Sequence, residues 1–198
     1  MSDLLSRNVL VINQKAKLIE LTDEYRIRDE EGNDIGYIRE EGQSVVKKAV
    51  RLVSNLDQFM THRLSVYDRD GTKVVELLRP RKVMKSRVEI TDGGGRPVGT
   101  IVQKNVFGKK RFALEGASGE MLGAINAENW RAWDFAIEDA TGAEVGRITK
   151  KWAGLLKEGF TTADNYVLEI SGQVSPELRL MMLGSAAGVD LALKQDEA

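Results

Sequence analysis

Ile90-Thr91-Asp92-Gly93-Gly94-Gly95-Arg96-Pro97-Val98-Gly99-Thr100-Ile101 is the key to the architecture, because its pattern recurs along the chain. Five copies can be counted from an apolar anchor: Ile27, Val66, Ile90, Leu114 and Ile137. Two residues on stands an acid in four of them (Asp29, Asp68, Asp92, Asp139), with Gly116 the exception. Five on is always glycine: Gly32, Gly71, Gly95, Gly119, Gly142. Eight on is apolar (Ile35, Val74, Val98, Leu122, Val145). Nine on is glycine except at Val75, and eleven on is apolar again (Ile38, Leu77, Ile101, Ile125, Ile148).

Each feature has a physical reading. Asp at the first position and Gly at the fourth suit a type I turn closed by a left-handed residue, a common longer hairpin loop. Positions eight and eleven have opposite strand parity, so they share a face only if an extra residue intervenes. The glycine at nine is where such a bulge fits. The unit is therefore a bent β-hairpin, and a run of bent, twisted hairpins closes into a barrel. Five hairpins supply ten strands. Val9 to Ile12 and Tyr166 to Ile170 bring the expected total to about twelve. The insertion Gln43 to Met60, in the first gap, is ambiguous: its apolar spacing favours a helix, while its β-branched valines also suit a strand.

The end of the chain reads differently. Ser175 is a suitable N-cap, Pro176 suits the first helical position and Glu177 suits the positive end of the helix dipole. From Leu180 to Leu193 only Ser185 and Asp190 are polar. A helix apolar all round is enclosed by protein or by lipid, and this run is short for a membrane span. Gly184, Ala186, Ala187, Gly188 and Ala192 make it slim. The expectation is one barrel domain over residues 1–198, antiparallel and closed, around a hydrophobic helix at about 175–195. The rival reading takes Gly184 to Gly188 as a membrane dimerisation face.

The 198 residues carry a formal net charge of −1, so attraction to an anionic partner needs a local patch, and nucleic acid is not favoured. With no cysteine, disulfides, thiolate metal sites, a cysteine nucleophile and S-acylation are excluded. Met1 to Lys15 does not read as a signal peptide, and a cytoplasmic location is expected, with peripheral contact at the inner membrane face. His62 is the only histidine, and no Gly-Lys-Ser/Thr loop, His-Glu-x-x-His pair or Gly-x-Ser-x-Gly elbow occurs, so covalent catalysis is not expected.

From Arg79 onward the chain resembles the phospholipid scramblase family, itself placed with the tubby-like and LURP-one-related proteins. The matching blocks are Arg79-Pro80, Val98-Gly99-Thr100-Ile101-Val102-Gln103, Asp134-Phe135, and Val145-Gly146-Arg147-Ile148-Thr149-Lys150-Lys151-Trp152-Ala153-Gly154-Leu155-Leu156-Lys157-Glu158. Phe160-Thr161-Thr162-Ala163-Asp164-Asn165-Tyr166 continues the last of them. The resemblance implies a twelve-stranded barrel around a hydrophobic C-terminal helix, association with phospholipid and, in eukaryotic members, calcium-dependent lipid scrambling. It also implies a calcium segment from Thr162 to Gln173, with Asp164 and Asn165 the candidate ligands. Both end positions are Asp in eukaryotic members and neither is here. Ca²⁺ takes six to eight oxygens, and Asp164-Asn165 reads better as a turn into the last strand.

The candidate binding residues are basic. Arg79, Arg81, Lys82, Lys85 and Arg87 lie together without an acid, and Lys104, Lys109, Lys110 and Arg111 follow one hairpin later. Brought together, they would suit anionic phospholipid headgroups. Dispersed, they would serve as lysines that protect sheet edges. Trp130, Trp133 and Trp152 read mainly as core residues. The alternative function is a soluble interaction or sensing module for a protein or small ligand. A third reading, lipid scrambling, would require the C-terminal helix to leave the barrel.

Overall fold

The turns show why the repeat folds as it does. In a computed structural model that describes residues 2–13, 24–41, 61–80, 87–104, 111–129, 134–150 and 165–193, all five predicted glycines are left-handed, with φ from 82° to 90°. In every copy the glycine N–H donates to the carbonyl of the turn's first residue, at 2.9–3.1 Å. Where the acid is present, its carboxylate usually finishes the turn. Asp92 Oδ1 accepts the backbone N–H groups of Gly94 and Arg96, both at 2.9 Å. Asp29 and Asp139 make the equivalent pairs with Glu31 and Asn33, and with Thr141 and Ala143.

Both exceptions to the repeat are compensated nearby. Gly116 has no carboxylate, but Glu120 folds back over it and its Oε2 accepts the Ser118 N–H at 3.0 Å. The glycine at position nine elsewhere allows the next strand's carbonyl to approach: a Cβ on Gly99, Gly123 or Gly146 would press into the carbonyl oxygen of Glu115, Glu138 or Glu169. In the second copy Val75 stands there, and the close approach passes to Gly93, which faces the Lys73 carbonyl.

The predicted bulge is present in all five hairpins. Register shifts immediately after each anchor, so Ile27 pairs with Gly36 while Arg28 pairs with Asp34. The extra residue is the apolar one at position eight, next to the glycine. The same shift follows Val66, Ile90, Leu114 and Ile137. Ile35, Val74, Val98 and Val145 are thereby buried along with Ile38, Leu77, Ile101, Ile125 and Ile148.

The chain opens with a short helix α1 (Asp3–Ser6) and strand β1 (Val9–Asn13). The hairpins are β2 (Glu24–Arg28) with β3 (Asp34–Glu41), β4 (His62–Asp68) with β5 (Lys73–Arg79), β6 (Arg87–Asp92) with β7 (Pro97–Gln103), β8 (Arg111–Gly116) with β9 (Met121–Asn129), and β10 (Asp134–Asp139) with β11 (Glu144–Thr149). Strand β12 (Asn165–Ile170) pairs with both β11 and β1, and β1 with β2, so the antiparallel sheet closes on itself as a barrel without a free edge.

Helix α2 (Pro176–Leu193) fills that barrel. The Ser175 hydroxyl accepts the Leu178 N–H at 3.1 Å, as an N-cap should. Six consecutive residues, Met181 to Ala186, are buried. Successive helical residues turn by about 100°, so this run faces protein around the whole circumference. The helix touches β4 to β9 and also β12. Its slimness is required: a Cβ on Gly184 would lie 2.9 Å from Ile90 Cδ1, and one on Gly188 would lie 3.0 Å from Leu77 Cδ2. Ser185 turns its hydroxyl back to the Met181 carbonyl at 2.7 Å, which satisfies it inside the core. Among the described residues no helix is long and apolar enough to cross a membrane. The expected helix in Gln43 to Met60 and the three tryptophans lie outside the described residues.

Candidate functional site

The barrel has two unlike ends, set by its topology. The five tight turns lie at one end, which we call the turn rim. The strand ends joined by the remaining connections lie at the other, the connection rim. β12 finishes beside the 140–143 turn, where the Ser171 N–H donates to the Val145 carbonyl, so α2 enters at the turn rim. Helix α1 packs there too. Its Ser2 hydroxyl and Leu4 N–H donate to Asp68 Oδ1 at 2.9 and 3.4 Å, and Leu4 is buried. Asp68 thus holds another element rather than its own turn, and Asp70 Oδ1 accepts the Thr72 N–H in its place.

The described basic candidates fall at the connection rim. β5 ends at Arg79, β6 begins at Arg87, β7 ends just before Lys104, and β8 begins at Arg111. The strands β5 to β8 are consecutive neighbours in the sheet, and the Lys104 N–H donates to the Arg111 carbonyl at 2.9 Å. Arg87, Lys104 and Arg111 are exposed. Arg87 Nη2 is 3.4 Å from Thr100 Oγ1, and Lys104 Nζ makes a 2.7 Å ion pair with Glu115. That exposed pair tethers Lys104 lightly, since such bridges contribute about 0–1 kcal/mol. Arg81, Lys82, Lys85, Lys109 and Lys110 lie outside the described residues.

Arg79 is placed differently from Arg87, Lys104 and Arg111. It shares strand parity with Val75 and Leu77, faces the barrel interior and is 4 % exposed. It stands opposite His62 in the β4–β5 register. His62 is itself buried, with Nδ1 2.6 Å from Glu40 Oε1, so the single histidine belongs to a polar cluster inside this rim. Among the described candidates, Arg87, Lys104 and Arg111 therefore face outward and Arg79 does not.

The calcium candidates do not assemble a site among the described residues. Asn165 opens β12 and is buried, and Asp164 lies outside the described residues. Asn165 and Glu169 share a face of the strand, but four residues of extended chain separate them by roughly 13 Å. No group of three acidic or histidine side chains that could hold a metal occurs among the described residues.

A cluster on the outer wall escaped the sequence reading. Tyr37 and Tyr67 stack with ring centroids 5.0 Å apart. The Arg39 guanidinium lies 5.3 and 5.8 Å from the two rings, and Lys73 Nζ lies 5.9 Å from that of Tyr67. The Tyr67 hydroxyl donates to Glu41, whose carboxyl stays below its usual range: burial would raise it, but Tyr67 and Lys73 outweigh burial. The available signal was positional. Tyr37 stands ten past the first anchor and Tyr67 one past the second, both on the outward parity of adjacent strands.

Comparison with known proteins sets this geometry in a family. The family model described as Scramblase matches residues 1–193. A phospholipid scramblase family protein of Schizosaccharomyces pombe is 26 % identical over 94 % of this chain and 59 % of its own length. Altered inheritance rate of mitochondria protein 25 of Saccharomyces cerevisiae is 26 % identical over 78 % of this chain and 54 % of its own. Human phospholipid scramblase 2 is 23 % identical over 92 % of this chain and 66 % of its own. The chain thus spans between half and two thirds of the length of these relatives. Among solved structures, an X-ray structure of a protein from Arabidopsis thaliana shares the fold, with a TM-score of 0.54 at 12 % identity over 92 % of this chain and 91 % of that one. With a hairpin barrel enclosing its last helix and a family model that matches nearly its whole length, the chain belongs to the scramblase family.

Proposed function

We propose that this protein binds anionic phospholipid headgroups peripherally, through the exposed cations of the connection rim. The observation that carries the reading is the placement of Arg87, Lys104 and Arg111 on neighbouring strand ends of one rim. In the sequence, Arg81, Lys82, Lys85, Lys109 and Lys110 fall between those ends. Family membership supports phospholipid as the partner, and it also makes the chain a non-enzyme. Each Lys or Arg near an anionic surface contributes about 1 kcal/mol, so a handful suffices for reversible docking at low salt. The enclosed α2 supports a peripheral mode, because withdrawing it would expose Leu178, Met181, Met182 and Leu183 and leave the barrel empty.

Flotation with liposomes tests the proposal. The protein should float with vesicles containing phosphatidylserine, stay behind with pure phosphatidylcholine, and release as salt rises. Ca²⁺ should change little. Equal binding to neutral vesicles, or none to either, would contradict it.

A further inference from the structure

Two helices meet the barrel at its turn rim, and they dock by the same means. Gly36 has the inward parity of Ile38, and a Cβ on it would lie 2.9 and 3.2 Å from Leu4 Cδ1 and Cδ2 of α1. Gly146, the same position of the fifth repeat, would meet Met182 Cε of α2 in the same way. At Gly99 and Gly123 the nearest atoms are all backbone. In two copies the repeat glycine thus admits a helix side chain as well as a carbonyl. Leu4 thereby joins the buried cluster that holds Leu178, Met181 and Met182.

Polar contacts outside the repeat pattern tie α1 down from two sides. Asp68 Oδ1 accepts the Ser2 hydroxyl at 2.9 Å and the Leu4 N–H at 3.4 Å. From the other side comes Arg179, in the first turn of α2. Its Nη1 donates to the carbonyl of Arg7, the residue that ends α1, at 2.9 Å, and its Nη2 lies 3.3 Å from Asn8 Oδ1. The Asn8 carbonyl accepts the Ile170 N–H at 2.7 Å, so the end of β12 meets the same link. α1 is a single turn with one fully buried side chain, whereas each barrel strand is paired on both sides. Among the described elements it can detach with the least disruption.

We infer that α1 is a latch on α2. Docked, it fixes the start of the enclosed helix; undocked, it frees that start while the barrel stays closed. The coupling is reciprocal, so loosening Arg179 also loosens α1. The latch is independent of the proposed headgroup binding, which uses the opposite rim. It bears on any departure of α2 from the barrel, because residues 171–175 tether that helix to β12 at the same mouth.

Hydrogen exchange read by mass spectrometry on the full chain tests the latch. Leu4→Ala should raise amide exchange across residues 178–183 several-fold and leave residues 111–127, in β8 and β9, as in the parent. Asp68→Asn, which keeps the backbone bond from the Gly71 N–H, should do the same to a smaller degree, and decides alone if Leu4→Ala does not fold. For the reverse direction, the absence of cysteine lets a nitroxide on Ser6→Cys, an exposed position, report on α1. Arg179→Met should increase the mobility of that label. Unchanged exchange across 178–183, or a rise shared equally by 111–127, would overturn the latch, as would a nitroxide indifferent to Arg179→Met.

Discussion

The two ends of this barrel obey different rules. At the turn rim nearly every charged side chain has a structural role. Asp29, Asp92 and Asp139 close their own turns, Glu120 substitutes for the acid missing at Gly116, and Asp68 anchors α1. At the connection rim two of the described exposed cations are held more lightly. Arg87 meets one hydroxyl at the limit of a hydrogen bond, and Lys104 meets one surface carboxylate. Damage at the first rim should therefore appear as lost stability, and damage at the second as lost binding.

The largest effect should come from the close approach between hairpins. Gly123→Ala would push a Cβ into the Glu138 carbonyl, where backbone and not a flexible side chain must yield. We expect a loss on the order of 3 kcal/mol in denaturant unfolding. Gly184→Leu inside the barrel overpacks against Ile90 and should cost about 1–3 kcal/mol. A stability loss of that size would also exclude a resting state in which α2 lies in lipid, where the larger side chain would be tolerated. Gly142→Ala places a side chain at φ 85° with open space around it, so the cost is backbone strain alone, about 1–2 kcal/mol.

A smaller, pH-dependent effect belongs to the turn carboxylates. The Arg96 backbone N–H holds the Asp92 carboxyl below its ordinary range against the effect of burial, and the Thr141 hydroxyl does the same for Asp139. A lowered folded pKa means the contribution is present above the unfolded value of 3.8 and is lost as pH falls through the folded one. The stability gap between the parent and Asp92→Asn should accordingly be widest near neutral pH and shrink below about pH 4. A gap that widens on acidification would break the assignment.

Much of the turn rim could be read from sequence because its rules are local. A type I turn needs Asp and Gly at fixed offsets, and a bulge needs an apolar pair of mismatched parity, so five hairpins follow from spacing. Glu120 and Gly93 could not be read that way, since each compensates across a turn or a ladder for a residue the pattern lacks. The enclosed helix followed from its slimness, given a closed sheet to surround it. Arg79 shows where the basic clusters were misleading: it shares the inward parity of Val75 and Leu77 on β5 and is buried. The tyrosine stack needed the β3–β4 register, which depends on a long insertion rather than a turn.

If binding and stability reside at opposite rims, they should fail independently. The decisive measurement is anionic-vesicle affinity and thermal midpoint together, for Arg87→Gln/Arg111→Gln and for Gly142→Ala. We predict that the double variant loses about 30-fold in affinity, from about 1 kcal/mol per cation, with its midpoint unchanged. Gly142→Ala should melt earlier and bind as the parent does. Unaltered binding by the double variant, or weakened binding by folded Gly142→Ala, would contradict the separation of the two rims.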